Sequence, residues 1–263
     1  MLAQTPWTAI VLAGRRPGEN GFAESHGLSA KALITVGGEP MLGRVARTLL
    51  ACPSVGRIVI LAQEPEGLLT NGLSWMAQEP RIRTAVSHDG ISESIGRVAG
   101  GKEAPWPVLV TTADHALLRP DMVEAFIAGS RGAQASFALV ERTLVEQAHP
   151  HTKRTWLKFT DGHYTGANLF ALPSQSARKV VDFWAKAERD RKKAFRLMMY
   201  FGPILFLRAF TRTISLDAAV AKAGRALGLK LRAVRLPFAE AAIDVDKQAD
   251  LELVEQILAG AEA

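Results

Sequence analysis

Short apolar runs alternate with amphipathic stretches along the first half of the chain. Thr8-Ala-Ile-Val-Leu-Ala13 is unbroken and stops at Gly14, the pattern of a strand buried on both faces. From Met41 to Leu50 the residues Met41, Leu42, Val45 and Leu49 share one side of a helix. Arg57-Ile-Val-Ile-Leu61 reads as a second buried strand, Arg81 to Val86 as a third, and Ile91 to Ala99 as a helix. Pro107 to Thr112 is a strand that runs directly into Asp114. Pro120 to Ala128 opens on proline and closes at Gly129, as helices do, and Ala133 to Val140 returns as a strand.

The second half is less regular. Thr155 to Phe159 and Ala167 to Leu172 read as strands around the turn Asp161-Gly162. Ser174 caps a helix whose apolar stripe is Val180, Val181, Trp184 and Ala187. A helix from Ser215 to Leu227 stops at Gly228, Lys230 to Leu236 is a strand, and Lys247 to Leu258 is a closing amphipathic helix. This alternation predicts an α/β fold: a mainly parallel, mixed sheet with helices on both faces, a Rossmann-like three-layer α/β/α arrangement. In such sheets ligands bind beyond the carboxyl ends of the strands. Two polar segments fall there, the loop after the first strand and Asp114.

Composition adds limits. Of 263 residues, 48% are hydrophobic and 22% charged, so the chain can bury enough apolar surface to offset its ordering entropy. The single cysteine, Cys52, excludes an intramolecular disulfide and a cysteine zinc site. No basic region followed by a long apolar core precedes Gly14. The run Leu197 to Leu207 is too short to span a bilayer and is interrupted by Gly202-Pro203. These features predict a cytoplasmic protein. No repeat, low-complexity tract or linker divides it, so a single domain over 1–263 is expected.

Charge is uneven. The formal net charge is +6, yet residues 142–196 alone hold 12 Lys and Arg against 5 Asp and Glu. Such a face is either simply solvated or meets anions, phosphates or anionic lipid heads. No compact nucleic-acid-binding motif accompanies it. The stretch Asp190 to Phe210 is basic and then apolar, which fits either a helix pair packed beside the sheet or an element at an anionic membrane surface.

The first loop reads Leu12-Ala13-Gly14-Arg15-Arg16-Pro17-Gly18 and continues to Lys31. A tight turn at a strand end offers backbone N–H groups to phosphates, and Arg and Lys supply the counter-charge; a plain basic surface loop is the other reading. The stretch Val11-Leu-Ala-Gly-Arg15, followed by Lys31-Ala-Leu-Ile-Thr-Val-Gly-Gly-Glu-Pro-Met-Leu42, resembles the opening signature of nucleotidyltransferases with a glycosyltransferase-A-type fold, the nucleotide-diphospho-sugar transferase type. The molybdenum-cofactor guanylyl- and cytidylyltransferases belong to that superfamily. Arg15 stands where the family pattern has a second glycine, and Ala30 where it has proline.

The resemblance implies the rest of the site. Ala113-Asp114-His115-Ala-Leu-Leu118 is similar to the family strand end whose aspartate binds the catalytic divalent metal, and Ala242-Ile-Asp244-Val-Asp246 to its late acidic segment. Asp114 and Asp246 would then ligate Mg²⁺, with Asp244 assisting, while Asp250 sits in the first helical turn, where negative charge is favourable. Leu12, Ala13 and Gly14 would bind the nucleotide, and Arg15, Arg16 and Lys31 the triphosphate. Ser92 and Ser94 fall in the base-reading segment, where a helix-capping role is the alternative. Lys153, Arg154 and Asn168 would face an acceptor phosphate within an acceptor-binding region inserted at about 141–212.

The implied function is Mg²⁺-dependent transfer of NMP from an NTP, CTP or GTP by preference, to a phosphorylated small-molecule or lipid-linked acceptor, releasing pyrophosphate. A nucleotide-sugar glycosyltransferase or a non-catalytic nucleotide-binding protein of the same fold are the alternatives. No nucleic acid partner is expected; for the stretch Asp190 to Phe210 a helix pair beside the sheet is the preferred reading, with peripheral contact with an anionic membrane as the alternative.

Overall fold

The buried apolar runs lie side by side in a computed structural model, which describes residues 5–15, 21–88, 90–189 and 212–261. After β1 (Trp7–Leu12) come the short helix α1 (Gly21–Ser25), a 3-10 turn at Lys31–Leu33, and a small hairpin of β2 (Thr35–Val36) and β3 (Glu39–Pro40). Then follow α2 (Met41–Ala51), β4 (Val55–Ala62), α3 (Pro65–Leu68), β5 (Ile82–Val86), α4 (Ile91–Val98), β6 (Val108–Thr112) and α5 (Pro120–Gly129). β1 pairs in parallel with both β4 and β6, and β4 with β5. The remaining elements are β7 (Ala135–Glu141), α6 (Arg142–Ala148), β8 (Leu157–Phe159), β9 (Gly162–Leu172), α7 (Arg178–Arg189), α8 (Leu216–Leu227), β10 (Leu231–Arg235) and α9 (Gln248–Ala261). The large sheet runs β10-β7-β9-β6-β1-β4-β5, with β8 paired to β9.

Alternation along β1 decides which helices lie on which face. Ala9 and Val11 point to one side, where Leu42, Val45 and Leu49 of α2 and Met122, Val123 and Phe126 of α5 pack. Ile10 points to the other, with Ile95 of α4 and Val180 and Val181 of α7. The expected three-layer α/β/α architecture is the one observed. Gly228 closes α8 at φ 64°, as its sequence implied, and at the other end Ser215 accepts a hydrogen bond from the Ala218 N–H at 3.3 Å.

Three details differ from the sequence reading. β9 starts at Gly162 rather than Ala167, because its first residues pair with β8 across the turn. It lies antiparallel between β6 and β7, so part of the region expected as an insertion supplies a central strand. Ser174 makes no helix cap; its hydroxyl bonds that of Ser176 at 2.9 Å, and a 3-10 turn at Gln175–Ala177 leads into α7. Helix α6 and a 3-10 stretch at Asn71–Gln78 had no clear signal in the apolar pattern. Among the described residues no helix is long and apolar enough to cross a membrane. The runs 190–210 and 197–207 lie outside the described residues.

A separate apolar cluster fixes the carboxyl end of the sheet. Ile34, Val36 and Met41 meet Ala116 and Leu117 after β6, and all pack on Ile243, Val245, Leu251 and Val254. This cluster ties the late segment before α9 to the end of β6. Ile243 is fully buried there. Ile243→Ala should lower stability by about 2–5 kcal/mol, read as an earlier urea midpoint at unchanged m-value.

Candidate active site

The loop after β1 is held from both sides. The Ala13 N–H donates to the Leu61 carbonyl at 3.0 Å, and the Ala113 N–H to the Leu12 carbonyl at 3.0 Å. Just beyond, Gln63 clasps the loop in two directions. Its Oε1 accepts from the Arg15 N–H at 2.9 Å, and its Nε2 donates to the Arg15 carbonyl at 2.7 Å. A Cβ on Gly14 would come within 2.9 Å of Gln63 Oε1 and 3.2 Å of Ser87 Oγ, so any larger residue there would have to displace the clasp. The Arg15 side chain reaches Glu64 at 3.9 Å in solvent, a weak contact that leaves it available to an anion.

Lys31 opens the 3-10 turn that follows this loop. Its Nζ lies 2.5 Å from Asp114 Oδ2 and 2.6 Å from Asp246 Oδ1. Two acidic residues far apart in sequence thus share one ammonium. Burial pulls the Lys31 charge down, but Asp114, by charge and hydrogen bond, and then Asp246 hold its pKa above the ordinary lysine value. A main-chain hydrogen bond sets this geometry: the Val245 N–H donates to the Asp114 carbonyl at 3.1 Å. That bond places the residue after Val245 beside the end of β6.

Asp244 faces a different set of partners. It forms an ion pair with Arg154 and accepts from Asn168 Nδ2 at 3.1 Å. Burial raises its pKa; Arg154 opposes that, and the charges of Asp246 and Asp114 add to it. Asn168 adopts φ 48°, at the point where the β7–β9 register shifts between Phe137 and Leu139. The irregularity turns Asn168 out of the ladder and toward Asp244. Arg154 also lies 3.6 Å from Asp250, whose other oxygen accepts from the Asp246 N–H at 3.3 Å. Asp250 is therefore buried between two functional segments and does more than favour a helix start.

Most of these groups, though not Arg154 or Asp250, line one cleft of about 780 Å³ at the carboxyl ends of β1, β4, β5 and β6. Of the residues singled out in the sequence, Leu12, Ala13, Gly14, Arg15, Lys31, Ser94, Asp114, Asn168, Asp244 and Asp246 line it. Ser94 Oγ is spent on the turn before α4, accepting from the His88 N–H at 2.7 Å and donating to the Gly90 carbonyl at 2.7 Å. Ser92 is buried, and its N–H is bound by Glu188. Lys153 is exposed, Arg154 is committed to aspartates, and Arg16 lies outside the described residues. Gln63, Ser87 and Glu188 are lining residues that the sequence reading missed. Gln63 could have been found as the polar residue just past a buried strand; Glu188, inside an amphipathic helix, carries no such sign.

A glycine turn, two cations and converging carboxylates at the rim of a mainly parallel sheet define a nucleotidyltransferase. The chain belongs to the MobA-like NTP transferase family, whose model matches residues 9–187. It is similar to a hypothetical transferase from Thermus thermophilus, at 29% identity over 94% of this chain and 100% of that one, with a TM-score of 0.79. The fold is shared with a 4-diphosphocytidyl-2C-methyl-D-erythritol synthase from Anaerococcus prevotii, at 13% identity over 96% and 95% of the two chains and a TM-score of 0.60. A CMP:2-keto-3-deoxy-manno-octonic acid synthetase complexed with CTP shares it too, at 16% identity over 97% and 99% and a TM-score of 0.59. No curated protein sequence matches the chain.

Beside Asp114, His115 is 1% exposed. Neither ring nitrogen makes a well-formed hydrogen bond, although the Ala241 carbonyl is close. Burial pushes its pKa down to about 4, against the pull of Asp114 and that carbonyl. The unfolded imidazole, with an ordinary value of 6.5, takes up its proton first. The stability contribution is therefore intact above pH about 6.5, falls as pH drops from there to about 4, and levels off below. That group alone should account for about 3 kcal/mol. Urea titrations from pH 7 to 4 should show the loss, and His115→Gln should flatten that part of the profile.

Proposed function

We propose that this enzyme transfers NMP from CTP or GTP to a phosphorylated acceptor, a small-molecule or lipid-linked phosphate, and releases pyrophosphate. The observation that carries the reading is the single ammonium of Lys31 bridging Asp114 and Asp246 beside the glycine turn. An oxygen of the acceptor phosphate attacks the α-phosphorus. The bond from that phosphorus to the oxygen bridging the β-phosphate breaks, and pyrophosphate leaves with the electron pair. The nucleophile is already ionised, so no base is required. Arg15, Arg16 and Lys31 hold the triphosphate and meet the charge that grows on the leaving group.

The carboxylates suit Mg²⁺. Their hard oxygens match its preference, and Asp114 Oδ1 is buried without a hydrogen-bond partner. Asp114 and Asp246 would hold Mg²⁺, which supplies positive charge at the α-phosphate. Lys31 occupies the space between those same carboxylates, so it must release at least one of them when the ion is held. The triphosphate is the anion to which it would turn.

Asn168 lines the cleft and is assigned to the acceptor with the exposed Lys153. Arg154 acts there through Asp244, which it pairs. Ser94 shapes the base pocket by bonding the His88 N–H and the Gly90 carbonyl. The basic surplus of residues 142–196 supports a phosphate-rich acceptor and peripheral contact with an anionic membrane from the cytoplasmic side.

Asp114→Ala should abolish Mg²⁺-dependent pyrophosphate release from CTP and GTP while its circular dichroism stays native; full turnover by that variant would refute the assignment. Lys31→Met should bind Mn²⁺ more tightly than wild type when no nucleotide is present, measured by electron paramagnetic resonance. Equal or weaker binding would show that the ammonium and the ion do not share a place.

A further inference from the structure

The cleft has two chemically distinct ends. Asp114, Asp244 and Asp246 gather at the end of β6. The sheet order β6-β1-β4-β5 carries the opposite end three strands away, about 14 Å at ordinary strand spacing. Gln63, just past β4, and Ser87, between β5 and α4, stand there. With the triphosphate over the glycine turn and Lys31, the nucleobase falls toward the β4–β5 end.

Glu188, on the last turn of α7, is a wall of that end. Its Oε1 accepts from the Ile91 N–H at 3.1 Å and its Oε2 from the Ser92 N–H at 3.0 Å, the first amides of α4. Val181 against Gly96, and Trp184 edge-on to Phe170 at 5.0 Å between ring centres, hold α7 in place. The α4 amides offset the charge of the carboxylate, so it can sit in a cleft built for a polyanion. Each of its oxygens keeps a second lone pair. Two of the neighbouring polar side chains are committed elsewhere, Ser94 to its turn and Gln63 to Arg15. Ser87 Oγ is buried with no hydrogen-bond partner.

We propose that Glu188 determines base specificity: its carboxylate accepts a hydrogen bond from the exocyclic amine of the nucleobase and disfavours bases that lack one. An acceptor-only group attracts the amine of cytosine or guanine and repels the carbonyl that uracil presents in its place. The inference rests on the nucleotidyltransferase reading above.

The test uses matched pairs that differ at that substituent, CTP with UTP and GTP with ITP, bound to the full chain with Mg²⁺ and followed by calorimetry. Inorganic tripolyphosphate reports on the phosphate end alone. Wild type should favour the amino-bearing member of the pair it binds best. Glu188→Gln should cut that preference roughly tenfold or more while tripolyphosphate binding holds. Glu188→Asp, which keeps the charge but withdraws it by one methylene, should cut it too and serves if the amide variant does not fold. A uniform loss for both members, or an unchanged preference in both variants, would reduce Glu188 to a structural cap and overturn the inference. Wild type that binds neither nucleotide nor tripolyphosphate would overturn the underlying reading instead.

Discussion

One ammonium between two carboxylates organises this molecule. Asp114 and Asp246, each within 2.6 Å of Lys31 Nζ, would repel each other in the partly buried rim without a cation between them. Lys31 supplies that cation from within the chain, so the acidic pair is assembled before any substrate arrives. The arrangement needs three segments to meet: the loop after β1, the end of β6 and the stretch before α9. The Val245–Asp114 backbone hydrogen bond and the cluster around Ile243 and Val254 hold the last two together. Charge geometry at the site is thus a consequence of apolar packing directly beneath it.

A second layer of charge supports the first. Arg154 lies between Asp244 and Asp250 with little exposure to water. A buried ion pair of this kind adds little net stability, since desolvation offsets its attraction. Its effect is positional: it fixes Asp244 against Asn168 and leaves Asp250 to hold the Asp246 amide. The positive φ at Asn168 belongs to the same device, local backbone strain kept where a side chain must be aimed. At the other end of the cleft, Glu188 and Gln63 play a similar part for the α4 amides and the glycine turn.

The parallel core of the sheet was legible in the sequence because β1, β4 and β6 are buried on both faces and read as continuous apolar runs. The end of α8 was legible because a glycine stop acts within a few residues. Asp114, Lys31 and the glycine turn could be named because each falls at a strand end or in a short motif. The placement of β9 was not legible. A strand of mixed burial can pair at an edge or in the middle, and only its neighbours β6 and β7 decide which.

Periodicity and local chemistry, which act over a few residues, already specify a layered α/β chain with acidic and basic groups at its strand ends. Tertiary structure alone decided that Lys31 bridges two aspartates, that Arg154 is spent on Asp244 and Asp250, and that Glu188 caps a helix 97 residues earlier in the chain. Those contacts depend on distances between remote segments, which only the packed sheet and its helices fix.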